Sequence, residues 1–162
     1  MRGWHSGHSA GAVFAALLLL ASAASAEAVV TRTPYQRYVN RDCPSNSLNC
    51  IINFPVIAAN YRLELTNASC YVRQRIDQGV GSLYALQLLT TKASTGAIVS
   101  AVNLVPQLIA EVQGANRIYS SNDPVTAFAS AGQRFQAYLQ TQGFGDIQQF
   151  ACSIGGELVK LS

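Results

Sequence analysis

The groups able to do chemistry are few and scattered. Carboxylates stand at Asp42, Glu64, Asp77, Glu111, Asp123, Asp146 and Glu157. Two of them converging in a cleft would supply the acid and base of a hydrolase, but no motif surrounds any of them. Glu64 lies between Leu63 and Leu65 and reads as the outward residue of a strand. A serine nucleophile needs a base. Both histidines, His5 and His8, lie in an N-terminal leader, and neither Lys92 nor Lys160 sits in an S-x-x-K arrangement. Without the leader the chain has no histidine, which excludes His-dependent triads, Cys–His dyads and histidine metal sites. Gly79-Val80-Gly81 and Gly143-Phe144-Gly145 lack the residues that complete a phosphate loop. No EF-hand spacing is present, so Asn122, Asp123 and Asp146 could meet a calcium ion only by folding together. The reading is a non-catalytic protein with no cofactor and no bound metal. Its alternative is a secreted hydrolase using scattered carboxylates.

Aromatic and amide residues carry the argument for binding. The tyrosines are Tyr35, Tyr38, Tyr61, Tyr71, Tyr84, Tyr119 and Tyr138, and a tyrosine offers an apolar face plus a hydroxyl. Tyr138 lies between Gln136 and Gln140 on the polar side of an alternating segment, so it is the tyrosine expected to be exposed. Gln136, Tyr138 and Gln140 form the candidate binding surface. The expected partner is a glycan, a surface polymer or another protein. Trp4, the only tryptophan, belongs to the leader, which weakens the sugar-stacking case. Lys and Arg total 11 against 8 Asp and Glu, too weak a surplus for a nucleic-acid partner. Arg32, Arg37 and Arg41, interleaved with Tyr35 and Tyr38, read as a solvated polar strand.

The leader has the parts of an export signal. Arg2 precedes an apolar run over Ala10–Ala21, and Ala24-Ser25-Ala26 places small residues before Glu27. Cleavage is expected after Ala26, with Ala23 as the other choice. Residues 1–26 are then a signal peptide and 27–162 a single domain, secreted or periplasmic. The run is too short for a membrane anchor, and no span is expected in the mature chain.

Cys43, Cys50, Cys70 and Cys152 all fall after the signal, and an even count in an exported chain points to disulfides. Cys43 and Cys50 bound a short turn-rich loop, whereas Cys70 and Cys152 each lie in an apolar, strand-like stretch. Cys43–Cys50 with Cys70–Cys152 is the favoured pairing, and the two other connectivities remain open. Tetrathiolate zinc lacks the close cysteine pairs it needs.

These residues must be held by short β-like runs separated by turns. The runs are Asn49–Phe54, Tyr61–Val72, Ser82–Leu89, Ala97–Leu104, Arg117–Ser120 and a closing stretch through Cys152. In Tyr61–Val72 the alternation changes phase near Asn67-Ala68, which predicts a bulge. Phe135, Ala137 and Leu139 alternate with Gln136, Tyr138 and Gln140 as in a half-buried strand. Asp123-Pro124 as a helix start with Gly143 as its stop is the competing reading there, and Leu83–Lys92 is also rich in helix formers. Close glycine punctuation favours strands in both places. The expected fold is all-β, a single antiparallel sandwich or jelly-roll-like domain of seven or eight strands.

The turn Ala131-Gly132-Gln133-Arg134 and the closing Cys152-Ser153-Ile154-Gly155-Gly156-Glu157-Leu158-Val159 resemble those of small exported bacterial β-proteins of unknown function. The resemblance covers the last quarter of the chain. It implies a β fold and carries no activity.

Overall fold

A computed structural model describes residues 30–44, 47–75, 82–112, 116–142 and 146–161. The expected signal peptide, 1–26, lies outside them, as do Asp77 and the two Gly-x-Gly segments. Nine strands are described and no helix: β1 (Arg32–Arg41), β2 (Asn49–Asn53), β3 (Tyr61–Arg75), β4 (Ser82–Lys92), β5 (Ile98–Asn103), β6 (Gln107–Val112), β7 (Asn116–Ser130), β8 (Gln133–Gln142) and β9 (Asp146–Lys160). They form a β-sandwich with a five-stranded sheet in the order β1-β9-β3-β7-β6 and a four-stranded sheet in the order β2-β8-β4-β5. Every pairing is antiparallel.

The core follows from alternation. A strand turns successive side chains to opposite faces, so Phe135, Ala137 and Leu139 of β8 and Leu86 and Leu88 of β4 point inward. From the other sheet, Leu63, Leu65, Val72, Phe150 and Ile154 meet them. The phase change in β3 is a bulge: against β9 the register shifts between Leu65 and Asn67 with Thr66 as the extra residue, while against β7 the extra residue lies on β7. The shift keeps Leu63 and Leu65 on the core face before it and Ala68, Cys70 and Val72 after it.

The bulge explains the double glycine. Gly155 and Gly156 lie within β9, opposite Asn67 and Leu65. A Cβ on Gly156 would strike the Glu64 carbonyl and stand 2.8 Å from Leu65 Cα. Only glycine lets the backbones approach so closely. A different need holds at Gly132, with φ of 76°, in the two-residue turn that carries the chain from β7 in one sheet to β8 in the other.

The strand count needs correction, and the competing helix reading falls to the favoured strands. The strand count rises to nine because Gln107–Val112 also pairs, with the first part of β7. Asp123-Pro124 begins no helix. It lies inside β7, beyond the last residue paired with β6, where a proline removes no ladder donor on that open side. Asp123 Oδ2 instead accepts a hydrogen bond from the Val105 amide at 3.1 Å.

Both favoured disulfides are present, Cys43–Cys50 and Cys70–Cys152. The second links strands far apart in sequence but adjacent in the sheet. Cys70 and Cys152 stand directly opposite on neighbouring strands β3 and β9, with Cα atoms 4.1 Å apart. It therefore staples one ladder rather than the two sheets.

Candidate functional site

Gln136, Tyr138 and Gln140 share the outer face of the four-stranded sheet, as their alternation with three core residues requires. Register then brings other strands' residues beside them. Ile51, Tyr138, Gln87 and Asn103 form one row across all four strands. Asn53, Gln136, Leu89 and Ala101 form the next row, and Asn49, Gln140 and Ala85 a third. None of these three rows contains a charged residue. Charge enters only at the margins, where Arg134 donates to the Ala93 carbonyl at 3.1 Å and Arg41 to the Ile51 carbonyl at 2.9 Å.

The side chains on this face are tied in cross-strand pairs. Gln136 Nε2 donates to Asn53 Oδ1 at 2.6 Å, Gln87 Nε2 to Asn103 Oδ1 at 2.8 Å, and the Tyr138 hydroxyl to Asn49 Oδ1 at 2.8 Å. An amide carries two N–H donors and a carbonyl with two lone pairs, so each contact uses only part of its capacity. The remainder forms a neutral array of donors and acceptors, most of whose rotamers are already restrained. Such an array suits hydroxyl groups and offers nothing to balance a formal charge.

Tyr138 is not the most exposed tyrosine. It sits on an inner strand between β2 and β4, half-buried, with its hydroxyl engaged. Tyr84, at 67 % exposure, and Tyr38, at 62 %, stand out further. The β4 register shifts between Leu83 and Ala85, which makes Tyr84 the bulged residue. A bulge re-aims a side chain out of the pleat. Tyr84 lines an open depression of about 330 Å³ with Gln140, Thr141 and Gln142. The sequence shows an apolar run through Tyr84 and gives no signal of this bulge.

On the opposite, five-stranded sheet two carboxylates do converge. Glu64 and Glu157 are register partners on β3 and β9, and Arg32 Nη1 of β1 bridges them at 2.8 and 2.6 Å. Arg62 also pairs with Glu64. Hydrogen bonds from Arg32, then from Arg62, hold the Glu64 carboxyl below its ordinary value. A hydrolytic acid needs the opposite, a carboxyl raised by burial. This pair lies on an open sheet face and is neutralised by arginines, which is the arrangement of an ion-pair network. Among the described residues no group of three His, Cys, Asp or Glu side chains is placed to hold a metal ion. Asp123 is engaged by Val105, and the Asp146 side chain lies outside the described set.

No described helix is long and apolar enough to cross a membrane. No family model matches the chain, and no curated protein matches it significantly.

Proposed function

We propose that the chain is an exported, non-catalytic β-sandwich that binds an uncharged, hydroxyl-rich glycan polymer through the outer face of its four-stranded sheet. The observation that carries this reading is the three-row face itself. Six amides and a tyrosine, from four strands, form a charge-free surface, and five of the amides and the tyrosine are tied by cross-strand hydrogen bonds. A polysaccharide presents repeating hydroxyls that both donate and accept, and rows of amides across four strands match an extended chain. Tyr84 adds an exposed ring at one end, able to stack on a sugar face. Export is supported by the two disulfides, which fit an oxidising compartment. The hydrolase alternative gains no support from the Glu64–Glu157 pair.

The test is retention of the purified mature chain on a panel of insoluble neutral polysaccharides, with anionic polymers as controls. Retention on a neutral member is expected, little changed by added salt because no charges pair. Tyr84→Ala and the double variant Gln136→Ala, Gln140→Ala should each weaken it about tenfold, the equivalent of 1.4 kcal/mol. Their thermal midpoints should stay near that of the parent. Failure to bind any neutral polysaccharide, or binding untouched by both variants, would overturn the reading.

A further inference from the structure

Strand β5 closes one side of the four-stranded sheet, and no strand among the described residues pairs beyond it. Its backbone polarity is fixed by one bond at its end: the Leu104 amide donates to the Leu86 carbonyl at 2.9 Å. Antiparallel strands alternate residues that bond to the neighbour with residues that point away. Counting back from Leu104, Val102 and Ser100 bond to β4, while Asn103 and Ala101 turn N–H and C=O outward. Such an open row is a template for another strand. The side chains around it are apolar: Ile98, Val99, Val105, Leu108 and Ile109 are all at least half exposed.

We infer that β5 pairs antiparallel with β5 of a second copy, across a twofold axis near Val102, to give a continuous eight-stranded sheet. Two properties of the edge favour a copy of itself. From Ile98 to Asn103 the strand has no charged residue, so a twofold pairing sets no like charges against each other, as an isologous contact requires. Ala101 of one copy meets Asn103 of the other, and the reverse, exchanging about four backbone hydrogen bonds. The amide face also runs out to Asn103 and Ala101 at this edge, so the pairing joins the two faces into one surface of doubled length.

The size of the contact sets its strength. The flank is one strand long, about 20 Å, and two sheets deep, with about 10 Å between them. It buries on the order of 1,000 Å² over both copies, the low end for a specific interface. Association is therefore weak and concentration-dependent. Two copies on one polymer would still gain from linked binding. The pairing stands on the edge alone, whatever the amide face binds.

Sedimentation equilibrium of the mature chain, without polysaccharide, tests it. The weight-average mass should climb from one chain towards two between micromolar and millimolar concentration. Ala101→Pro removes an outward N–H while leaving the bonds to β4 intact, and Val99→Lys sets a charge on the edge. Both should hold the mass at one chain over the same range, with thermal midpoints near the parent's. If Ala101→Pro fails to fold, Val99→Lys decides. A single-chain mass for the parent at every concentration would overturn the pairing and leave the edge to a strand from another protein. So would a dimer that survives the variants.

Discussion

The sandwich has two flanks, and they are built differently. On one, β1 and β2 end the two sheets. β1 carries Arg32, Pro34, Arg37 and Arg41, β2 is only five residues long, and Cys43–Cys50 bridges the β1–β2 connection to β2. The Arg41 guanidinium lies on the Ile51 carbonyl, capping a group on the edge of β2. Charge, proline, shortness and covering are the usual means by which an edge strand is kept from pairing with other chains. On the other flank, β5 and β6 end the same two sheets. β5 has no charge, and the one on β6, Glu111, is occupied by Arg117 at 3.2 Å. β5 and β6 each carry a bulge, at Val99 and Ile109. Neither has the proline, free charge or covering of the other flank, so two edges of one domain face the same hazard with unequal guards. The difference teaches that an edge can be left open selectively, on the side where the amide face reaches its rim.

The largest expected effect concerns the staple that both flanks depend on. Replacing Cys70 and Cys152 by alanine should cost on the order of 2–5 kcal/mol, because the bond closes a long loop between the central strands. Replacing Cys43 and Cys50 should cost about 2.5 kcal/mol at most, since that loop is short and confined to the guarded flank. Urea unfolding of both double variants makes the comparison, and equal losses would contradict it. Gly156→Ala comes next. Gly156 stands between Tyr35 of β1 and Leu65 of β3, so a forced methyl pushes the guarded flank away from the centre. A loss of about 3 kcal/mol in the same assay is expected.

Arg41→Ala tests the guard directly. It removes one exposed hydrogen bond and should lower stability by about 1 kcal/mol or less. It also bares the Ile51 carbonyl, so self-association should rise more steeply with concentration than in the parent. The smallest effect is expected at Glu64. Its carboxyl is held low by Arg32 and Arg62, so the network contributes stability above the ordinary carboxylate range and loses it as pH falls through the lowered value. Glu64→Gln should therefore melt slightly below the parent at neutral pH and together with it in strong acid. A difference that grows in acid would contradict the assignment.

Local features of this fold were legible in the sequence, and long-range ones were not. The bulge at Thr66 showed as a change of phase, because alternation is a property of a single strand. Gln136, Tyr138 and Gln140 likewise showed as one polar face. Their partners Asn49, Asn53, Gln87 and Asn103 did not, since nothing in a strand's own residues says which strand lies beside it or in what register. Glu64 and Glu157 converge for the same hidden reason. Tyr138 proved less exposed than expected because flanking strands and Asn49 enclose it, which only the sheet order reveals. The exposure of Tyr84 leaves no signal in the sequence, because its bulge breaks no visible pattern in an apolar run.

The central claim is that the amide face is the binding surface, and side-chain amide spectroscopy addresses it most directly. The NH₂ resonances of Asn49, Asn53, Gln87, Asn103, Gln136 and Gln140 can be followed while a soluble neutral oligosaccharide, taken from the polymer that retains the protein, is added. The account predicts saturable shifts confined to these groups and to backbone amides of β2, β8, β4 and β5, with Tyr84 ring signals moving in step. Shifts that cluster instead around Arg32, Glu64 and Glu157, or that spread without saturating, would contradict it.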